Sequence, residues 1–311
     1  MQKQDLKRTD GPAGSPTSSD TAQLAHRRGL MEAHFAVLLF GLAGLFGKWL
    51  TLHPLAISLG RVCFAVPFLF LIMRARGERI RLNQPRDYAV FLLLGIVLAI
   101  HWTAFFMAIQ LSTVAVGLLT FSTFPVFVTF IEPWLLKSAF RFQDLLIALV
   151  TMVGVSLVIP DFSLSNQVTV GALWGILSGL TFALLSVLNK KYVAQYPSRQ
   201  VSLYQFAAAA LVLLPMVIPL KPALDGRSLV LLAILGVVFT GISHTLFISS
   251  LKRIKAQTAS VIASLEPVYG ILATVVLLGE VPGLREVAGG LIILSMAFVV
   301  TKRQSRKRRR A

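Results

Sequence analysis

The sequence contains few of the residues on which soluble enzymes and extracellular domains depend. Charged residues make up 14% of its 311 residues, whereas a typical soluble domain has roughly 25%. Acidic residues are the scarcer kind, with 13 of them against 30 lysines and arginines. Cysteine occurs once, at Cys63, which excludes an internal disulfide and a metal cluster held by cysteines.

Several motifs of nucleotide and hydrolytic chemistry are also missing from the sequence. There is no phosphate-binding Gly-x-x-x-x-Gly-Lys loop, so we expect no ATP-driven step within this chain. There is no His-Glu-x-x-His pair and no Gly-x-Ser-x-Gly elbow, the signatures of zinc proteases and α/β-hydrolases. We therefore predict that the chain is not an enzyme, has no catalytic residue, and needs no cofactor and no bound metal.

Apolar residues, in contrast, dominate the chain. They make up 56% of it, the mean hydropathy is +0.76, and they occur in blocks of about 20, the length of a membrane span. This pattern predicts an all-α, polytopic membrane protein in a lipid bilayer. The basic residues behind the net charge of +17 lie in short loops and near residues 302–310, where they face headgroups and cytoplasm rather than nucleic acid.

We predict ten transmembrane helices. They lie near residues 30–51, 55–73, 88–110, 113–136, 143–160, 169–189, 200–220, 228–251, 257–279 and 285–301. One alternating set of connections holds thirteen lysines and arginines and the other set holds four, so the positive-inside rule places both termini in the cytoplasm. We expect residues 1–29 to be a disordered cytoplasmic tail and residues 303–311 a basic cytoplasmic tail.

The second half of the sequence repeats the first. A shift of 142 residues aligns Phe40 with Phe182, Lys48 with Lys190, Phe105 with Phe247, Ser122 with Ser264 and Pro125 with Pro267. The two repeats span residues 30–160 and 168–302, with five predicted helices each. Because five is odd, the second repeat enters the membrane from the opposite side. Many secondary transporters use this inverted-topology arrangement for alternating access.

Two paired signatures carry a resemblance to a known family. They are Ser122-Thr-Phe-Pro125-Val126-Phe127 in the first half, and Leu265-Glu266-Pro267-Val268-Tyr269 with Leu278-Gly279-Glu280 and Gly289-Gly290 in the second. With ten predicted helices and a basic tail, they resemble the EamA-type transporters of the drug/metabolite transporter superfamily. The resemblance implies outward transport of amino acids, other metabolites or cationic drugs across a bacterial inner membrane, with the fifth and tenth helices bracing the outside. One departure is Phe124, which stands where the second half has Glu266.

Glu266 is the residue around which we expect a site to form. It lies about nine residues, or ~14 Å, into the apolar run 257–278, close to the middle of a ~30 Å hydrocarbon layer. A carboxylate at that depth faces protein or a wet cavity. Two interpretations are open: a cavity carboxylate that binds substrate or carries a proton, and a structural group hydrogen-bonded to a neighbouring helix.

Five more side chains are candidate substrate ligands: His101, Trp102, Phe105, His244 and Arg61. The histidines lie near mid-depth and either contact substrate or are neutral rings bonded to backbone carbonyls. Trp102 and Phe105 belong to an aromatic wall that suits an amphipathic solute or lipid. Arg61 either binds a substrate carboxylate, tethers two helices, or extends its head to the outer interface. Pro125 and Pro267 are predicted hinges or rigid kinks.

We therefore predict an exporter of a small organic metabolite, an amino acid or a related compound, that works by alternating access. Transport is either secondary-active, with protons as the candidate coupling ion, or facilitative, and a homodimer is left open. The alternative within this class is a multidrug or quaternary-ammonium exporter in which Glu266 meets the cation and aromatic rings surround it. An intramembrane enzyme or a structural membrane protein is a remoter alternative, because the sequence has no paired catalytic motif and a structural partner needs no inverted repeat.

Overall fold

The computed structural model describes residues 18–136, 142–159, 163–193, 195–254, 259 and 262–308. Regular structure within these residues is helical, with no strand. The α-helices are α1 (Ser18–Ala43), α2 (Phe46–Trp49), α3 (Pro54–Ala75), α4 (Pro85–Leu111), α5 (Val114–Phe121), α6 (Phe124–Leu136), α7 (Phe142–Val158), α8 (Gln167–Val193), α9 (Ser198–Val217), α10 (Gly226–Gly236), α11 (Ser243–Ser250), α12 (Glu266–Leu278) and α13 (Leu284–Arg308). A 3₁₀ turn at Ile218–Leu220 follows α9, and a π-helical turn at Val237–Ile242 joins α10 to α11.

Capping residues set several of the helix starts. The Thr113 hydroxyl accepts a hydrogen bond from a backbone N–H in the first turn of α5 at 3.0 Å, and the Asp225 carboxylate does the same for α10 at 2.8 Å. Pro54 and Pro85 begin α3 and α4, where the N–H that proline lacks has no helical partner anyway. The turns between helices are thus written into the sequence at single positions.

Seven stretches of the described chain are long and apolar enough to cross a membrane, and two shorter apolar helices, at Leu145–Val158 and Glu266–Leu278, accompany them. The chain is therefore an all-α, multi-pass membrane protein, as predicted. Ten crossings and the cytoplasmic side of both termini stay predictions, because α13 and the two shorter helices are not among the seven stretches.

The predicted tails differ in part from the structure. Residues 18–29 of the expected disordered tail are helical and form the start of α1, and residues 303–308 extend α13. Adding residues to an existing helix is favourable, whereas starting a helix is not, so an apolar span promotes helix in the polar residues beside it. Residues 1–17 and 309–311 lie outside the described part of the chain.

Four of the predicted spans are interrupted near their middles. Two-residue breaks occur at 44–45, 122–123 and 264–265, and the π-turn interrupts the helix formed by α10 and α11. Irregular backbone at membrane depth persists only where it is buried in protein or lines a cavity. The breaks therefore indicate the interior of the bundle, and each of them lies next to residues of the site described below.

Helices of the two repeats pack in pairs that exchange when the repeats are exchanged. In the first repeat α4 packs against α8 and α9, and correspondingly α11 packs against α1 and α10 against α3. At the centre α3 packs against α9 and α5 against α12, pairs that the exchange leaves unchanged. On the periphery α7 packs against α13. The repeats thus share one packing scheme around a pseudo-two-fold axis.

Glycine allows the closest approach between α1 and α12. A Cβ atom on Gly41 would lie 2.7 Å from the carbonyl oxygen of Glu266 and 2.8 Å from the amide nitrogen of Gly270. In return, a Cβ atom on Gly270 would lie 2.9 Å from the carbonyl oxygen of Gly41. Real Cβ atoms do not approach backbone atoms so closely, so the two glycines permit backbone contact between helices. This contact fixes the start of α12, and with it Glu266, against α1.

Candidate functional site

A cavity lies where the two repeats meet. It is lined by Phe40, Ala43, Arg61, His101, Trp102, Phe105, Phe121, Phe182, His244 and Glu266. All six side chains predicted as substrate ligands are in this set, contributed by α3, α4, α11 and α12; their binding of a substrate stays a prediction. The free volume is about 30 Å³, enough for about two water molecules. An organic solute therefore enters only when the cavity widens.

Glu266 projects into the cavity from the first residue of α12. Its side chain is 5% exposed, and within the part of the chain that the structure describes its carboxylate accepts no hydrogen bond and joins no ion pair. The described residues therefore do not show the hydrogen bond to a neighbouring helix that the structural interpretation requires. A buried carboxylate without a partner is unfavourable by several kcal/mol, so a proton or a donor from a solute completes this site.

Arg61 reaches the cavity from α3 and is 2% exposed. Its Nε donates a hydrogen bond to the Thr240 hydroxyl at 2.8 Å, and its Nη2 donates to the Phe239 carbonyl at 3.3 Å. The guanidinium carbon lies 4.1 Å from the ring centre of Trp102, a cation–π contact. The predicted extension to the outer interface is wrong because these contacts hold the group inside. The predicted tether between helices is present, and Arg61 and Glu266 form no salt bridge.

His101 is fixed by the opposite repeat. Its Nδ1 lies 3.0 Å from the carbonyl oxygen of Ser178 and 2.9 Å from the hydroxyl of the same residue, on α8. A carbonyl oxygen only accepts, so in the neutral ring Nδ1 carries the proton and Nε2 keeps a free lone pair. This is the structural arrangement that the sequence left open, and it leaves one ring nitrogen available to accept.

His244 occupies a different setting. No described residue forms a hydrogen bond with its ring, which is half-buried and lines the cavity. The ring centre lies 4.7 Å from Phe40, 5.2 Å from Trp102 and 5.8 Å from Phe206. Because aromatic carbon atoms surround the ring without satisfying its nitrogens, His244 is open to a polar group in the cavity. Of the two histidines, this one fits a ligand role.

Aromatic rings form most of the remaining wall. Phe121 and Phe182 lie 5.3 Å apart, and Phe105 lies 5.8 Å from Phe121. The aromatic wall expected from the sequence also included Tyr204, but that ring packs on Tyr88 and Phe91 and is outside the cavity lining. The wall is continuous enough to cover the apolar part of a solute, with polar groups at only four positions.

Bonds between the repeats hold one end of the bundle together. They join Arg199 to Glu78, the Tyr196 hydroxyl to Asp87, and Arg253 to Glu32. Burial, followed by the hydrogen bond to Asp87, raises the pKa of Tyr196, so this hydroxyl stays protonated and remains a donor. The basic residues of these connections are those that the positive-inside rule assigns to the cytoplasm.

The opposite end is also bonded. Lys48 donates to the Ser112 carbonyl at 2.6 Å, and Gln110 donates to the Leu52 carbonyl at 2.9 Å. A longer contact of 3.4 Å joins the Val114 amide to the Glu280 carboxylate and crosses between the repeats. The cavity therefore lies between two layers of hydrogen bonds, one at each end of the bundle.

The model of the EamA-like transporter family matches this sequence twice, over residues 27–159 and 169–302. The two matches begin 142 residues apart, the same shift that aligns the repeats. The chain belongs to the EamA-like transporter family. The resemblance expected from the two proline signatures is thereby confirmed.

Curated relatives of this EamA-like chain are transporters by name. Uncharacterized transporter YxxF of Bacillus subtilis is 22% identical over 87% of this chain and 89% of its own length. Uncharacterized inner membrane transporter YicL of Salmonella typhimurium is 24% identical over 92% of this chain and 98% of its own length. An uncharacterized transporter of Archaeoglobus fulgidus is 28% identical over 62% and 68%. A crystal structure that is 18% identical covers 92% of this chain and 98% of its own, with a TM-score of 0.61, and shares the fold.

The two signature prolines of this EamA-like chain begin helices. Pro125 and Pro267 are the second residues of α6 and α12, directly after the breaks at 122–123 and 264–265. Proline cannot donate to the carbonyl four residues earlier, so the preceding turn is where the span is interrupted. The predicted kinks are found as these breaks, and a hinge role stays a prediction.

Sequence reasoning missed several residues that build the EamA-like site. Ser178 and Thr240, which hold His101 and Arg61, carry no signal beyond being small polar residues inside apolar runs. Phe40 and Phe182 are recognisable in hindsight, because the 142-residue shift pairs them and each lies against one of the two histidines, at 4.7 Å and 5.3 Å. Repeat-paired aromatic residues at mid-depth are thus the sequence signal that points to this cavity.

Proposed function

We propose that this chain exports a small organic metabolite, an amino acid or a related compound, across a bacterial inner membrane. The observation that carries the proposal is the Glu266 carboxylate, buried without a described partner in a cavity that both repeats enclose. Such a group is stable when a solute ammonium or a proton joins it. No feature of this arrangement needs ATP, a metal or a second catalytic group.

The proposal includes ten crossings arranged as two inverted repeats, residues 30–160 and 168–302, with both termini in the cytoplasm. Three observations support it: the exchangeable packing of the helices, the two family matches, and the broken spans beside the cavity. Inverted repeats with a site at their interface give alternating access when one repeat rocks against the other.

The two bonded ends support alternating access in particular. The free volume of about 30 Å³ between them is far below the ~300–1,000 Å³ of an ordinary ligand pocket. Entry of a solute therefore requires one layer of bonds to open. Release to the other side requires the first layer to reform and the second to open, which describes an occluded intermediate.

In the proposed complex, the solute ammonium binds the Glu266 carboxylate and its carboxylate binds the N–H groups of Arg61 that face the cavity. Arg61 has five N–H donors, of which two are used by Thr240 and Phe239. His244 offers a further polar contact, while Trp102 and Phe105 cover the apolar part of the solute. Proton coupling would run through Glu266 or His244.

A second candidate function is the export of quaternary-ammonium compounds. The specific observation that favours it is the density of rings beside a carboxylate, since Phe40, Trp102, Phe105, Phe121 and Phe182 all line the cavity. Aromatic faces and one carboxylate are the usual recognition of such cations. Arg61 argues against it, because a guanidinium in the same cavity repels a ligand that carries only positive charge.

The deciding experiment is a flux assay with the full chain in liposomes. The solutes are the common amino acids and tetraethylammonium, each measured with and without a pH gradient. Glu266→Gln is compared with Glu286→Gln, which removes an acid from the first turn of α13 outside the cavity. We expect amino-acid flux that Glu266→Gln abolishes and Glu286→Gln preserves. Flux of tetraethylammonium alone establishes the second candidate, and no flux of any solute overturns both.

A further inference from the structure

The helix formed by α10 and α11 contains one π-turn, Val237–Ile242. A π-turn holds one residue more than an α-turn and leaves local carbonyl groups without their usual partners. The corresponding helix of the first repeat, α4, runs from Pro85 to Leu111 without such a turn. The second repeat therefore differs from the first at a defined place beside the cavity.

Two glycines show that this difference is an inserted residue. A Cβ atom on Gly95 would lie 2.7 Å from the backbone nitrogen of Ala209 on α9, and one on Gly236 would lie 2.5 Å from the backbone oxygen of Arg61 on α3. These contacts belong to helix pairs that exchange with the repeats. From Gly95 to Phe105 there are ten residues, but from Gly236 to Phe247 there are eleven. The π-turn lies between the second pair and accommodates the extra residue.

The inserted turn presents two groups to Arg61. The Phe239 carbonyl accepts from Nη2 at 3.3 Å, and the Thr240 hydroxyl accepts from Nε at 2.8 Å. The Thr240 hydroxyl donates its own hydrogen to the carbonyl of Leu235 at 2.7 Å. Because that hydrogen is committed, its lone pairs face the guanidinium, and Thr240 is 0% exposed. The arrangement fixes both the position of the guanidinium and the direction of every bond to it.

We propose that Thr240 is a positioning residue, through which the π-turn holds Arg61 flat over Trp102 so that the remaining N–H groups of Arg61 bind the carboxylate of the solute. This inference rests on the proposed transport of an amino acid or related compound. It assigns the recognition of the carboxylate end to an element that only the second repeat contains. Without the extra residue, neither the carbonyl nor the hydroxyl would face α3.

The first test needs no solute. In a chain that keeps Trp102 and carries Trp49→Phe, Trp134→Phe and Trp174→Phe, fluorescence reports the guanidinium that lies 4.1 Å from the Trp102 ring centre. We expect Thr240→Val to shift the emission maximum and Thr240→Ser to restore it. The matched control is Thr245→Val in the same helix, whose hydroxyl bonds Ser202 at 3.4 Å instead. Emission unchanged in Thr240→Val overturns the proposal.

The second test is kinetic and uses phenylalanine and phenethylamine, which differ by the carboxylate. We expect Thr240→Val to raise KM for phenylalanine about tenfold, because bonds to a charged group are among the stronger ones, and to leave KM for phenethylamine and both kcat values within about twofold. An equal rise in both KM values overturns the proposal. If the unmodified chain transports neither solute, the proposed function fails for this substrate class, while the emission test still decides whether Thr240 positions Arg61.

Discussion

The two repeats present matching helices to one cavity but equip them with different chemistry. In the first repeat α4 is regular and His101 is tied to Ser178. In the second, the corresponding helix contains a π-turn, and His244 has no hydrogen bond among the described residues. Phe124 begins α6, whereas Glu266 begins α12. The helix frame follows the exchange of repeats, and the polar groups do not.

This difference separates two requirements of a transporter. Rocking between two states needs two similar bundles that pack equally well on either side. Recognising a solute with distinct ends needs an asymmetric set of polar groups. The chain meets the first requirement with repeated glycine contacts and broken helices. It meets the second with Glu266, His244 and the π-turn, which all belong to the second repeat, and with Arg61, which the second repeat holds in place.

The largest expected effect comes from breaking the frame itself. Gly41→Val places a side chain where a Cβ atom already lies 2.7 Å from the Glu266 carbonyl, so α1 and α12 must separate. Overpacking of this kind lowers the free energy of unfolding by about 3 kcal/mol. Thermal unfolding in detergent measures it. Gly226→Ala, at a glycine with no atom within 4 Å, is the control, and equal stability of both variants would contradict the backbone contact.

The second prediction compares the two histidines. His101→Ala removes a buried ring and its bond to Ser178, and we expect a loss of about 2 kcal/mol in unfolding free energy. His244→Ala removes a ring without such a bond, so stability changes by less than about 1 kcal/mol while amino-acid flux in liposomes falls about tenfold. The measurements are thermal unfolding and initial flux. Reversed outcomes, with His244 stabilising and His101 needed only for flux, would refute the assignment.

The third prediction concerns the bonded ends. Glu78→Gln weakens the partly exposed pair with Arg199, which stabilises by about 1 kcal/mol at most, so the adjoining end opens about fivefold more often. The readout is the labelling rate of Ala43→Cys in the Cys63→Ser background by an impermeant maleimide, added to each side of the membrane. Glu280→Gln should speed labelling from the opposite side. Labelling that rises from the same side in both variants contradicts the two-layer arrangement.

The smallest effect is expected at the start of α10. Asp225 caps this helix through Ser228, whereas Gln84 at the start of α4 makes no side-chain cap. Hydrogen bonds to Ser228 lower the pKa of Asp225 from its ordinary value of 3.8. A lowered carboxyl pKa stabilises the fold above the ordinary value and ceases to do so as pH falls through the folded value.

Asp225→Ala should therefore lower Tm slightly at neutral pH, and the difference from the unmodified chain should vanish below pH 3.8. Gln84→Ala, at the matching helix start, should leave Tm unchanged at both pH values. A Tm difference for Asp225→Ala that persists in acid would mean that the carboxylate does not act as the cap.

The helix pattern could be predicted from the sequence because runs of about 20 apolar residues leave few other structures. Glu266 and both histidines could be placed in a site because polar groups at mid-depth have nowhere else to go. Arg61 could be located but not oriented, since a long side chain reaches either inward or to the interface. Thr240 decides its direction, and no property of a lone threonine announces that contact.

The π-turn was beyond sequence reasoning for a related physical reason. One extra residue among interchangeable apolar residues changes neither hydropathy nor helix length. It becomes visible only when Gly95 and Gly236 are recognised as equivalent by the backbones they touch. The helical start of the expected tail at residues 18–29 was missed because polar residues beside a span inherit its conformation.

Every side chain that lines the cavity comes from one polypeptide. A single copy is therefore a complete unit of transport, and activity per molecule should be constant when vesicles are prepared so dilute that most hold at most one chain. Any association between copies would act on lifetime or placement in the bilayer, while the passage of solute would remain the property of each molecule alone.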